Sequence, residues 1–137
     1  MRIFLDANVL YAASCSKTGA SFVIFELKNR FQFELITSQL ALIEAERNLT
    51  EKEGSEEISN FYLLIKKIKV VKSESEKAKK MFKGIIEEKD APILYAALKS
   101  KSSYLLTLDK KHFFTEKIKK LNLPIKIITP GQFIKEL

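Results

Sequence analysis

Apolar residues along this chain follow two alternating rhythms. Short unbroken apolar runs occur within Arg2–Leu5, Phe33–Thr37, Val70-Val71, Tyr104–Thr107 and Ile125–Ile128. Runs of that length, rich in β-branched and aromatic residues, are the mark of strands buried on both faces. Between them the apolar positions recur every three or four residues, as on helices with one face against a core. This predicts helices beginning at Asn8, over Ala20–Asn29, from Gln39 to about Glu51, over Glu57–Lys67, from Ser73 to about Glu87, from Asp90 to about Ser100 and over Phe113–Leu121. A short terminal helix is predicted from Pro130. Ser38 is placed to cap the third of these, and Ser73 with Glu76 forms a capping-box pattern. Pro92 falls in a first turn, where its missing N–H costs nothing. Strands alternating with helices predict an α/β fold: a three-layer α/β/α sandwich around a central, mostly parallel sheet of about five strands. The length suits a single domain over residues 1–137.

Charge changes the picture in two ways. The net charge is +7, and a basic surface favours a phosphate backbone through counterion release. The acids are unevenly divided: fourteen are Glu, and only Asp6, Asp90 and Asp109 are Asp. Glu suits solvated helix faces, whereas Asp collects at caps, turns and sites. Asp6 directly follows the first strand, Asp109 lies just past the fourth, and Asp90 opens the helix leading into that fourth strand. Ligands of an open parallel sheet bind beyond the carboxyl ends of its strands, so if strands one and four are neighbours these carboxylates converge on one rim. Capping alone accounts for any one of the three. Converging carboxylates are costly unless a cation compensates them, and an all-oxygen set suits Mg²⁺ or Mn²⁺. Such an ion promotes phosphodiester displacement. A basic surface holding a phosphate backbone over an acidic metal cleft is the design of a nuclease.

The sequence resembles the PIN-domain nucleases, including the VapC-type toxin nucleases. The resemblance is carried by Ile3-Phe4-Leu5-Asp6-Ala7-Asn8-Val9-Leu10, by Thr37-Ser38 with the helix bearing Glu44 and Leu49, and by Lys89-Asp90-Ala91-Pro92-Ile93-Leu94-Tyr95-Ala96-Ala97. The last of these leads into Tyr104-Leu105-Leu106-Thr107-Leu108-Asp109-Lys110. These motifs stand in the family's order over nearly the whole chain. The resemblance implies catalytic and metal-binding acids at Asp6, Glu44, Asp90 and Asp109, with Asn8 and Thr107 orienting them. It implies a Mg²⁺- or Mn²⁺-dependent endoribonuclease acting on single-stranded RNA, a homodimer, and an antitoxin protein as partner. Glu46 competes with Glu44, since helical periodicity does not choose between them; the distance back from Leu49 favours Glu44. Leu108 stands where family members often carry Gly. The alternatives are a nonenzymatic PIN-like module that binds RNA or protein, and a phosphatase or receiver-like α/β domain with a phospho-accepting Asp.

Other residues carry less. Lys110 and Lys111 are candidate RNA contacts. His112, the sole His, reads as a solvated loop residue. Phe113-Phe114 reads as core and Tyr104 as structural. Cys15, the sole cysteine, reads as a packed thiol and forms no internal disulfide, which points to a reducing, cytoplasmic setting. The four glycines are scattered, so no phosphate-cradling loop exists. No apolar run is long enough for a membrane span.

Overall fold

A computed structural model describes residues 1–137. Five strands, β1 (Arg2–Leu5), β2 (Glu34–Ser38), β3 (Ile68–Val71), β4 (Tyr104–Leu106) and β5 (Lys126–Ile128), form one sheet in the order β3-β2-β1-β4-β5. Every pairing is parallel. Ile3, Phe4, Leu5, Leu35, Ile36, Leu105 and Leu106 are all buried, as strands covered on both faces require.

The strand order explains the layers. From β1 the chain moves outward to β2 and β3, then returns across the sheet to β4 and β5. Right-handed crossovers running in opposite directions place their helices on opposite faces. The helix packing divides accordingly. Helix α1 (Ala7–Cys15) packs on α2 (Ala20–Arg30), α3 (Gln39–Lys52) and α4 (Ser55–Leu64), while α5 (Ser75–Met81) packs on α6 (Ala91–Lys99). Two short helices, α7 (Lys110–Phe113) and α8 (Glu116–Lys119), link β4 to β5, and α9 (Pro130–Lys135) returns to α2. The switch point lies between β1 and β4, so the crevice opens beyond their carboxyl ends. No helix is long and apolar enough to cross a membrane.

Several local expectations need correction. The helix expected from Ser73 to about Glu87 is only Ser75–Met81, followed by turns in which Gly84 takes a left-handed φ of 78°. Ser73 caps nothing there; its hydroxyl accepts the N–H of Leu40 at 3.1 Å. The helix expected over Phe113–Leu121 is broken in two, because the Thr115 hydroxyl accepts the N–H of Ile118 and starts α8 afresh. Cys15 ends α1 with its side chain exposed, not packed. Leu108 needs no glycine: its φ is not positive, and its N–H donates to Asn8 Oδ1 at 3.0 Å.

Candidate active site

Asp6 is the residue after β1, and its backbone N–H continues the ladder onto Leu106 O at 3.0 Å. Its carboxylate is therefore fixed by sheet register. Oδ1 accepts the N–H of Ala7 at 2.7 Å and so caps α1. Oδ2 accepts the Thr107 hydroxyl at 2.8 Å and lies 3.4 Å from Asn8 Nδ2. Thr107, one residue past β4 and fully buried, also accepts from Asn8 Nδ2 at 3.3 Å and from the N–H of Asp109 at 3.1 Å. Asn8 and Thr107 thus tie the end of β1 to the end of β4, and both hold Asp6. Beside them the buried Thr37 hydroxyl donates to Leu5 O at 2.8 Å, binding the end of β2 to β1.

Asp6 is only 6% exposed. Burial pushes its carboxyl up from 3.8 to about 6; the bonds from Thr107 and Ala7 pull it back, and Glu44 and Asp90 push it up again. Asp90 is raised as well, chiefly by desolvation, against the pull of His112 and Lys89. Asp90 precedes α6, yet its side chain caps nothing, and its buried Oδ2 has no hydrogen-bond partner. Asp109 does cap, through Oδ1 accepting the N–H of His112 at 3.1 Å. Two of the three aspartates therefore act as caps and face the crevice at once, while Asp90 is not a cap at all.

One pocket of about 220 Å³ collects Asp6, Glu44, Asp90 and Asp109, with Asn8 also in its lining. Glu46 is elsewhere: its carboxylate accepts the hydroxyl of Tyr62. Glu44 and Glu46 sit two residues apart on α3, about 200° around the axis, so only one faces the crevice. The pocket also takes in Tyr11, Asn48, Lys52 and Lys89, which the sequence reading missed. Glu44, Asn48 and Lys52 follow one another at four-residue spacing on α3, a single helix face visible in the sequence. Tyr11 donates to Glu53 Oε2 at 2.6 Å, a bond that pushes its phenol up to about 12 and keeps it neutral. Lys110 and Lys111 are exposed and do not line this pocket.

His112 also departs from expectation. It lies in α7, not in a solvated loop, and its side chain is 19% exposed. Its Nδ1 is 2.7 Å from Asp109 Oδ2 and 3.3 Å from Asp90 Oδ2, and its Nε2 is 3.3 Å from Glu87 Oε1. Phe113 is buried core, and Tyr104 is structural, packing edge-on against Phe133 and donating to Glu136 at 3.0 Å.

The pocket fits a hard divalent cation. Its acidic donors are all carboxylate oxygens, and the buried Oδ2 of Asp90 makes no hydrogen bond, with His112 Nδ1 3.3 Å away. An ion there would offset the burial, and the lesser repulsion from Glu44 and Asp90, that raise Asp6.

A family model described as PIN domain matches residues 2–111. Among solved structures, the chain is similar to one from VapBC2 of Rickettsia felis, solved bound to a DNA fragment from the promoter. The TM-score is 0.67 at 15% identity, covering 93% of this chain and 97% of that one. It is similar to VapC20 of Mycobacterium tuberculosis, a sarcin–ricin loop cleaving toxin, with a TM-score of 0.64, 14% identity and coverage of 88% and 95%. A protein of Pyrobaculum aerophilum gives 0.61 and 16%, covering 98% of this chain and 88% of that one. At these identities the likeness is one of fold. No curated protein matches the sequence.

Proposed function

The chain belongs to the PIN-domain family, and from that premise we infer that its acidic pocket is the site of a metal-dependent endoribonuclease cutting single-stranded RNA. The observation carrying this reading is the gathering of Asp6, Glu44, Asp90 and Asp109 around one pocket beyond the carboxyl ends of β1 and β4. Asp6, Glu44 and Asp90 would hold the principal Mg²⁺ or Mn²⁺, and Asp109 would complete the site. A bound divalent cation supplies Lewis-acid neutralisation of the charge that develops on a phosphodiester during displacement.

The chain's own residues do the rest. Thr107 and Asn8 keep the Asp6 carboxylate turned into the crevice, as groups behind a metal ligand do. Asp109 is held by its own cap, so it keeps one orientation and can direct a water. Lys52 and Lys89 place cations beside the acids, where an incoming backbone phosphate would otherwise meet only negative charge. Lys110 and Lys111, exposed beside the site, would extend the contact along the strand of RNA. A net charge of +7 supports a polyanionic substrate.

Membership of this family, together with neighbours that include VapBC2 and the toxin VapC20, supports a toxin role with an antitoxin chain as partner. We place it as a homodimer in the cytoplasm, where a lone cysteine stays reduced.

Cleavage of single-stranded RNA with Mg²⁺, Mn²⁺ or chelator, in wild type, Glu44→Gln and Glu46→Gln, tests this. Wild type should cut only with metal, Glu44→Gln should lose most turnover, and Glu46→Gln should keep it. RNA binding without cutting under every metal condition would leave a nonenzymatic module. Equal small losses in the two variants would remove α3 from the site.

A further inference from the structure

Beside the acidic pocket lies a second cavity, of about 400 Å³, within the size range of small-ligand sites. The two are one imidazole ring apart. His112 Nδ1 faces Asp109 Oδ2 at 2.7 Å and Asp90 Oδ2 at 3.3 Å, both of them acids of the first pocket. Its Nε2 faces Glu87 Oε1 at 3.3 Å, and Glu87 and His112 line the second cavity. A strand laid across the acids therefore brings its neighbouring residue to the cavity.

The charge reverses between the two. The first pocket gathers its carboxylates against Lys52 and Lys89, whereas the second holds Glu87 as its one acid, with Lys111 and Lys117. Lys117 is held in place: its Nζ donates to Gly84 O at 3.1 Å, across 33 positions of the chain, which leaves the other donors of the ammonium free. Ordering the lysine in advance lowers the entropy lost when an anion binds. Thr115 Oγ1 accepts the N–H of Ile118 at 3.3 Å, so its own proton is free to give. Ile85 and Ile86, half-buried, supply an apolar side. Two cations and a hydroxyl match a phosphate, and an apolar side matches the sugar and base attached to it. No Arg, Asn or Gln lines the cavity, so it offers no bidentate grip on a base edge.

We propose that this cavity is a subsite for the nucleotide next to the scissile phosphate, with Lys111, Lys117 and Thr115 holding its own phosphate and Ile85 and Ile86 packing its sugar and base. The subsite rests on the nuclease reading of the acidic pocket. It accepts any base, and it holds the strand in register over the acids.

Titration of uridine monophosphate into the full chain with chelator, followed by backbone amide NMR, tests the subsite without cleavage. Shifts should cluster at Lys111, Thr115, Ile118 and the turn at Gly84, while the amides of Asp6 and Asn8 stay in place. Lys111→Ala and Lys117→Ala, both at exposed positions, should each weaken this binding about tenfold, and Lys69→Ala, on the edge strand β3, should not. In cleavage of single-stranded RNA with Mn²⁺, the two substitutions together should raise KM far more than they lower kcat. They should also flatten the log–log salt dependence of RNA binding by about 0.7 per lysine. Absence of nucleotide-induced shifts around the cavity, or cleavage with an unchanged KM in the double variant, overturns the subsite. Inorganic phosphate bound as tightly as the nucleotide overturns it too, leaving a bare anion site. So does a short polyglutamate peptide bound equally tightly, which would mark the cavity as a protein-docking site. A wild type that takes up the nucleotide but cuts no RNA under any metal condition would count against the acidic pocket instead.

Discussion

The crevice has a floor and a wall, built by different means. The floor is Asp6, Asn8 and Thr107, laid where β1 and β4 end side by side, buried or half-buried and hydrogen-bonded throughout. The wall is Asp90 and Asp109, backed by Glu87 and His112, carried by turns and the first residues of short helices, and it leaves one buried oxygen without a hydrogen bond. Sheet register fixes the floor, because a one-residue slip would turn every side chain over. No strand register fixes the wall: hydrogen bonds to Thr107 and within α7 hold Asp109 and His112, while Glu87 is 59% exposed. The floor therefore holds a carboxylate in an unfavourable place, and the wall has room to adjust to what binds.

Asp6→Asn is the strongest test of the floor. It should keep the fold and lower metal-dependent RNA cleavage by at least about a hundredfold, since a catalytic ion is worth several kcal/mol. A variant retaining more than about a tenth of wild-type rate would show that the floor does not hold the ion.

The floor should also cost stability when no metal is bound. Asp6 ionises at about 6 in the fold, against an ordinary 3.8. Between those values the folded state holds more protons than the unfolded state, so metal-free stability should fall as pH rises through that window. The loss is of order 2–3 kcal/mol once Asp6 is charged. Chemical denaturation of wild type and Asp6→Asn from pH 4 to pH 7 reads it as the difference between two curves. Parallel curves would mean that Asp6 is not strained, and the contrast with the wall would fail there.

Thr107→Val keeps the shape of the floor and removes its hydroxyl. Asp6 Oδ2 and the N–H of Asp109 lose a partner, at a cost of about 1–3 kcal/mol, and Mn²⁺ affinity should drop about 10- to 100-fold. Calorimetric titration checks the second figure.

Gly84→Ala probes the turns leading to the wall. No atom would meet the new Cβ, but the φ of 78° strains any L side chain, so stability should fall by about 1 kcal/mol. RNA cleavage should hardly change, because Gly84 does not line the acidic pocket. A loss as large as that of Thr107→Val would show the wall to be as rigidly coupled as the floor.

The same division governs what the sequence disclosed. Ile3-Phe4-Leu5 running into Asp6, and Leu105-Leu106 into Thr107, mark the ends of buried strands, and strand ends of a parallel sheet are where such a crevice lies. The five strands and the parallel sheet were legible for the same reason. Glu87 beside His112 was not. That contact depends on where the chain turns after α5, and helical periodicity running on past Met81 hid the break at Gly84. The split of the last predicted helix at Thr115 was hidden likewise, although Thr115 with Glu116 behind it is an ordinary helix start. Lys52 was legible and overlooked, being two turns along α3 from Glu44.

The bond from Thr107 to Asp6 spans 101 positions of the chain. A ribosome delivers Asp6 well ahead of Thr107, whose strand arrives only after β2 and β3 and the helices between them have been made. Closing so long a loop is slow, and no local contact can substitute for it. Until β4 docks, the growing chain carries Asp6 with Ala7 and Asn8 beside it, but without Thr107 and Asp109. The growing polypeptide thus lacks the completed pocket through most of its own synthesis, and gains it only with the last pairing beside β1.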